Sequence, residues 1–387
     1  MRLLYYSTSY YANHGGSIQS IEFYKQLDKI DKVEEKSIFP LSIKKEIYAA
    51  TAGNRRGFKK LLKAVPLFQV AFFYRRSGFY IKALEKKIQE FKPDILFIQI
   101  DSNFLQIHYL KEKFPGLKIC TQINGSPFDE PFSNIAFKSK FQKLQYKAYQ
   151  KCDLNIFISD YSRKSIMGEH LDKKRDIVIH NGTDTEKFFP LNDKQNLRKA
   201  LNYPVEPFII GYIGTLDHHK KLEILIEAFF DLKGEFSNLI LVIIGDGPAM
   251  PKLKLTVAKL SLKEKVLFLG WLKHENINKH LNCFDLAVHH YANTYMNPLK
   301  IFEYLSAGLP VIAPRIPSVE RMFKDGEDLL LTTAEKGELK RNLFNLITDD
   351  NLRNKLSNKQ HLIGSIESNF TWKKYAERIV AAMANLK

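Results

Sequence analysis

The sequence predicts an α/β protein built from two doubly wound, Rossmann-like domains that face each other across a cleft. Three observations lead there. At 387 residues the chain exceeds what one ordinary core holds. Short apolar runs alternate with helix-like stretches, the pattern of a parallel sheet covered by helices. That rhythm fades after residue 180 and starts afresh at residue 208, so it describes two sheets.

In the first half, strands are expected at 3–6, 95–100, 117–123, 154–159 and 177–180, with helices at about 17–30, 80–91 and 135–150. In the second half they are expected at 208–213, 239–244, 266–269, 286–289, 311–313 and 329–331. Asn181 and Gly182, then Pro190 and the polar run 192–199, mark a crossing near 183–200. Residues 370–386 read as a helix with no strand after it. The expected domains are therefore 1–185 and 186–369, followed by a terminal helix 370–387.

Hydrophobic residues make up 45% of the chain, which excludes a disordered protein. No apolar run reaches the roughly 18 residues of a membrane span. The start, MRLLYYS, turns polar too early for a secretion signal and suits a first strand. Cys120, Cys152 and Cys283 lie far apart without CxxC spacing, and no histidine cluster has metal-binding spacing, so no metal is expected. A cytoplasmic protein is the expectation.

The net charge of +17 calls for an anionic partner. Residues 44–92 hold thirteen basic against three acidic residues, interleaved with Leu67, Phe68, Phe72, Phe73 and Tyr74. Arg55, Arg56, Lys59, Lys60, Arg75 and Arg76 would dock such a segment on an anionic membrane surface. A core-packed helix pair with a solvated basic face fits the same residues. No helix-turn-helix, RRM or zinc signature accompanies the charge, so nucleic acid is not an expected partner.

Four loops follow strand ends, where open parallel sheets bind ligands. The first, from Asn13 and His14 to Gly15, Gly16 and Ser17, offers two glycines and a helix start to an anion but lacks the GxGxxG spacing. The second, 211–221, sets Gly214 and Thr215 before His218, His219, Lys220 and Lys221. A lysine beside a glycine turn suits a diphosphate. Lys221 reads as a solvated flank, the two histidines as exposed turn residues, and His289 and His290 as strand-end residues. The third is the tight turn Gly245, Asp246, Gly247, Pro248.

The fourth is 297–314, NPLKIFEYLSAGLPVIAP, which reads as a loop, a helix and a buried strand. Asn297 is expected to cap the helix, Pro298 to sit in its first turn and Gly308 to stop it. Lys300 and Glu303 share a face of that helix, either as a surface ion pair or as part of a nucleotide-sugar cradle.

In this order the motifs resemble those of the retaining glycosyltransferases of family 4, which have the GT-B fold. They begin with Asn181 to Asp184 and Gly214, Thr215, Leu216, Lys220. They continue through 244–248, Phe268 to Gly270, and Pro298 to Tyr304 running into Gly308 to Val311. The resemblance is dense over 177–331 and thin over the first 120 residues.

It implies transfer of a sugar from a UDP- or GDP-linked donor, with no cofactor and no required metal. The acceptor would be a lipid-linked or free saccharide, in assembly of bacterial capsule, O-antigen or exopolysaccharide. The protein would act on the inner face of the plasma membrane. Domain 1–185 would hold the acceptor and domain 186–369 the donor, with the last helix and Trp372 crossing back to the first domain.

Lys220 at the diphosphate and Glu303 at the ribose are the implied catalytic pair. Pro298 and Leu299 would meet phosphate or sugar through their backbone, with Gly214, Thr215, Gly245 and Lys300 bordering the donor. Gly15 and Gly16 would close over the diphosphate. The acceptor or sugar pocket would contain His14, Asn124 in place of the family's histidine, and Tyr295 in place of its first glutamate. Thr215 stands where many members carry arginine. The rival readings are an inactive GT-B subunit that binds or regulates a partner, a nucleic-acid binder, and a hexose-phosphate or epimerase-type enzyme on the same fold.

Overall fold

The computed structural model describes residues 1–11, 15–40, 65–78, 80–100, 103–126, 128, 132–357 and 360–386. The chain divides into two units, one of Met1–Asn181 with Trp372–Lys387 and one of Gly182–Thr371. Residues 183–200, expected as a crossing, are part of the second unit.

The first unit holds a parallel sheet of β1 (Arg2–Tyr6), β2 (Glu35–Phe39), β3 (Ile95–Ile100), β4 (Lys118–Ile123), β5 (Leu154–Phe157) and β6 (Asp176–Val178), in the order β2-β1-β3-β4-β5-β6. Strand order reverses between β1 and β3. All six residues of β3 are buried, as a strand covered on both faces requires. On one face Leu4, Leu96, Ile98 and Ile119 join a core with Phe73, Phe104 and Phe141. On the other, Tyr5 and Phe97 meet Phe23 of the helix Gly15–Gln26 edge to face. Phe23 in turn meets Tyr375 of the helix Trp372–Ala384 at 6.1 Å, which places that last helix in the first unit.

The second unit holds β7 (Phe208–Ile213), β8 (Leu239–Ile244), β9 (Val266–Gly270), β10 (Leu286–Val288), β11 (Val311–Pro314) and β12 (Leu330–Thr332). Their order is β12-β11-β10-β7-β8-β9, all parallel. Alternate residues feed two cores: Ile209, Ile213, Val242 and Val311 on one face, Ile210, Tyr212, Leu241 and Ile312 on the other. Order reverses between β7 and β10. Such a switch point opens a crevice at the carboxyl ends of the two strands, where doubly wound sheets take their ligands.

Candidate functional site

The loops beyond β7 and β8 interlock through their backbones. Leu216 donates its N–H to the Asp246 carbonyl at 3.0 Å, and Ala249 returns one to the Leu216 carbonyl at 2.8 Å. Gly245 sits at φ +138°, and a Cβ there would lie 1.8 Å from the Gly214 carbonyl oxygen. Only glycine allows both the dihedral and the approach. Gly214 and the exposed Thr215 are thereby held beside the switch point, with the Thr215 carbonyl 3.5 Å from the Tyr212 hydroxyl.

A single 3-10 turn, His218–Lys220, carries the chain from there to the helix Leu222–Lys233. Lys220 points its ammonium at the Met296 sulfur, 3.8 Å away. Lys221 takes a left-handed conformation, φ 50°, and lays its ammonium over the Tyr291 ring at 4.3 Å. Both lysines thus meet the segment between β10 and the helix Leu299–Ser306, Lys220 at the end nearer the helix.

That helix starts differently from expectation. Pro298 is itself the N-cap, at φ −70° and ψ 117°, and no side chain caps the first turn. Asn297 is buried instead, its amide 3.7 Å from the Met322 sulfur. Because Pro298 itself is extended, with ψ 117° outside the helical region, the helix begins at Leu299 and Asn297 falls one position short of the cap. Leu299 and Lys300 form the leading turn, next to the carboxyl end of β10. The stop is as expected: Gly308 has φ +75° and Leu309 donates to the Tyr304 carbonyl at 3.1 Å.

Glu303 lies on the inner side of this helix and is only 3% exposed. Its Oε2 accepts from Lys300 Nζ at 2.8 Å, and its Oε1 lies 3.3 Å from Nε2 of His274. Burial pushes the carboxyl up, but the Lys300 charge and the His274 hydrogen bond outweigh it, and the group stays below its ordinary value. Glu303 is an ionised, buried carboxylate. The Lys300–Glu303 pair is thus more than a surface contact.

His289, at the end of β10, is 5% exposed, and neither of its ring nitrogens has a hydrogen-bond partner. It stacks on Tyr212 with ring centroids 6.3 Å apart. Burial holds it well below the ordinary histidine value, and the charges of Lys220, His290 and Lys300 add to that. His290 is pushed down to about 4 by burial, and its Nε2 lies 3.0 Å from the Lys221 carbonyl. A neutral imidazole between two lysines marks this crevice as a place of positive potential. Tyr295, half-buried, accepts from the Asn293 amide at 3.1 Å.

In the first unit, Asn124 follows β4 and donates its amide to Gln19 Oε1 at 2.7 Å. Gln19 also accepts from Gln99 Nε2 at 3.1 Å and donates to Asn181 Oδ1 at 2.5 Å. Gly15 and Gly16 begin the helix, and the Gly16 carbonyl accepts from Ser20 Oγ at 2.9 Å. Sequence reasoning missed Gln19 and Gln99, as it missed His274. Their partners are distant in the chain, and no local spacing announces them. His14, Arg55, Arg56, Lys59 and Lys60 lie outside the described residues.

Arg75 and Arg76 are on the helix Pro66–Gly78, where Leu67, Phe68, Tyr74 and Arg75 are exposed and Phe73 is buried. Among the described residues no helix is long and apolar enough to cross a membrane. No group of three or more His, Cys, Asp or Glu side chains comes together among them either.

Two six-stranded parallel sheets in these orders, with the last helix in the first unit, have the GT-B fold of glycosyltransferases. A family model for glycosyl transferases group 1 matches residues 193–362, and one for glycosyltransferase family 4 matches residues 46–187. Both halves of the chain are thus similar to glycosyltransferase families.

The UDP-Gal:alpha-D-GlcNAc-diphosphoundecaprenol alpha-1,3-galactosyltransferase of Escherichia coli is 29% identical over 254 residues, 61% of this chain and 65% of that protein. The chitobiosyldiphosphodolichol beta-mannosyltransferase of Candida albicans is 26% identical over 230 residues, 55% of this chain and 50% of that one. The chain thus spans between half and two thirds of these relatives' length. Among solved structures, Anabaena Alr3699/HepE in complex with UDP-glucose superposes with a TM-score of 0.76 at 17% identity, covering 100% of both chains. Sucrose-phosphate synthase from Thermosynechococcus elongatus gives 0.76 at 15% identity, covering 100% of this chain and 99% of that one.

Proposed function

We propose that the protein transfers a sugar from a nucleotide-sugar donor to an acceptor hydroxyl with retention of anomeric configuration, using no metal. The observation that carries this reading is the ionised Glu303, buried between Lys300 and His274 on a helix beside the β7–β10 switch point. A fixed carboxylate suits the ribose hydroxyls of a nucleotide. Lys220, Lys300 and the leading N–H groups of the helix Leu299–Ser306 suit its diphosphate.

In the reaction the bond from sugar C1 to the diphosphate oxygen breaks, and the acceptor oxygen bonds to C1 on the same face. The acceptor's proton goes to the departing diphosphate. Preorganised cations stabilise the charge that develops on the leaving oxygen, which is the work a metal would otherwise do.

A UDP-linked donor is the first candidate, supported by the UDP-glucose held by the HepE neighbour. The E. coli and C. albicans relatives are named for diphosphoundecaprenol- and diphosphodolichol-linked substrates, which supports a lipid-linked acceptor. A place on the inner face of the bacterial plasma membrane, in polysaccharide assembly, follows from that acceptor and from the apolar and basic helix Pro66–Gly78.

A thermal-shift screen against UDP, GDP and ADP and their sugars tests the reading. A nucleotide at a hundredfold excess over its Kd stabilises by about 2.7 kcal/mol. Analysis of the anomeric configuration of the product then tests retention. Stabilisation by no nucleotide overturns the reading, and nucleotide binding without hydrolysis or transfer converts it into that of an inactive GT-B subunit.

A further inference from the structure

Both oxygens of Glu303 are engaged by the protein itself, from two directions. Lys300 reaches Oε2 from one helical turn away, at 2.8 Å, and His274 reaches Oε1 from the turn after β9, at 3.3 Å. The two contacts differ in kind. A lysine ammonium is a point charge on a flexible stem and tolerates many carboxylate orientations. The His274 ring stands edge-on to Phe188, with centroids 5.2 Å apart and planes at 70°, so its nitrogen arrives from a fixed place. Phe188 is itself buried in the core of the unit.

A carboxylate has about four lone-pair directions. With one on each oxygen occupied, Glu303 keeps one lone-pair direction on each oxygen. Two adjacent hydroxyls fit that pair, and a single hydroxyl does not use it.

We propose that His274 is a positioning residue that orients Glu303 to grip both hydroxyls of a ribose vicinal diol. This makes the site selective for ribonucleotides over 2′-deoxyribonucleotides. The inference rests on the reading of Glu303 as the ribose-binding group, and it adds what fixes that group. His274 touches no substrate; it acts through the carboxylate.

The test is calorimetric titration of the full chain with UDP and with 2′-deoxy-UDP, and in parallel with GDP and 2′-deoxy-GDP. Three proteins are compared: the parent, His274→Phe and His274→Gln. Phenylalanine keeps a ring against Phe188 and removes the nitrogen, whereas the glutamine amide can stand in for Nε2. The parent is expected to prefer the ribonucleotide by about tenfold or more. His274→Phe is expected to lose most of that preference by weakening the ribonucleotide alone, and His274→Gln to restore it in part.

A preference that survives in His274→Phe, an equal weakening of both probes, or a glutamine variant no better than phenylalanine overturns the positioning role. A parent that binds a nucleotide without distinguishing the two sugars overturns the assignment of Glu303 to the ribose. A parent that binds neither base overturns the nucleotide site together with this inference.

Discussion

Tyr304 closes the edge of β7 at Ile213. Its hydroxyl accepts from the Ile213 N–H at 2.9 Å and donates to the Ile213 carbonyl at 3.1 Å. The ladder between β7 and β10 ends at the Gly211–Ala287 pair, because the sheet opens at the switch point. The next outward-facing backbone groups of β7 are therefore satisfied by a side chain from the helix that bears Glu303. Fold and site share this bond.

Tyr304→Phe removes the bridge and leaves a buried N–H and carbonyl unpaired. Each such group costs about 1–3 kcal/mol, so a loss of about 2–6 kcal/mol is expected, with a clear fall in Tm. Thermal melts followed by circular dichroism read it directly. A variant melting within a degree of the parent would show that Ile213 finds other partners.

Gly245→Ala should also be destabilising. The alanine would carry a side chain at φ +138° and bring its Cβ to 1.8 Å from the Gly214 carbonyl oxygen. Overpacking of about 1–3 kcal/mol adds to a left-handed penalty of about 1–2 kcal/mol. The expected outcome is a loss of about 2–5 kcal/mol and of nucleotide binding, since Gly214 and Thr215 hang on this contact. Denaturant titration together with the thermal-shift screen measures both. Parent-like stability would mean that the two loops can separate freely.

What the sequence made legible follows burial. Residues 208–213 and 239–244 were expected as strands and are strands to the residue, because both faces are covered and every position is apolar. The strand Glu35–Phe39 was missed: it pairs on one side only, and Glu35, Lys36 and Ser37 hide its pattern. Asn297 was expected as a cap with Pro298 in the first turn, and the extended ψ of Pro298 moves the start one residue on. The helix Pro66–Gly78 has Phe73 in the core and Leu67 66% exposed, which does not decide between the two readings of its segment. Lys220, Lys300 and Glu303 were legible as a motif. The hold of His274 on Glu303 was not, since it crosses 29 residues and depends on where β9 ends.

Acid should weaken the second unit through its buried histidines. An unfolded histidine takes a proton near pH 6.5, whereas folded His290 does so at about 4. Between those values the unfolded state binds more protons, so stability is full above pH 6.5 and falls as the pH drops toward 4. Over about 2.5 pH units the loss is roughly 3 kcal/mol at 1.36 kcal/mol per unit. His289 titrates in the same direction. His290→Gln keeps a donor for the Lys221 carbonyl and should flatten the dependence. Melting curves between pH 5 and 7 avoid the titration of Glu303, whose stabilisation is lost only below the ordinary carboxylate range. An unchanged slope in the variant would place the proton uptake elsewhere.

Sedimentation with vesicles should show binding to anionic but not neutral lipid, decreasing with salt. Arg75 stands with exposed Leu67, Phe68 and Tyr74 on the helix Pro66–Gly78, and each basic group near such a surface is worth about 1 kcal/mol. Leu67→Asp should weaken the binding, since it puts a like charge against the lipid. Equal binding to both vesicle types, or to neither, would sink the docking idea.

Lys220 and Glu303 should separate in kinetics. Glu303 is ionised and clamped before a ligand arrives, so a hydrogen bond that it accepts from a ribose hydroxyl would exist equally in ground and transition state. Uniform binding of that kind sets KM. The Lys220 ammonium lies 3.8 Å from the Met296 sulfur, and a cation placed there would act on the charge that grows as a leaving diphosphate departs. A charge-assisted hydrogen bond is worth about 1.5–3 kcal/mol, or about one to two decades. Glu303→Gln is therefore expected to raise the donor KM by about tenfold or more with kcat little changed. Lys220→Ala is expected to lower kcat by about ten- to a hundredfold with a smaller effect on KM. Steady-state transfer assays on folded variants decide the matter. If Lys220→Ala transfers sugar at the parent rate, the diphosphate is stabilised by other groups; if Glu303→Gln changes kcat alone, its carboxylate acts in the chemical step and not in holding the nucleotide.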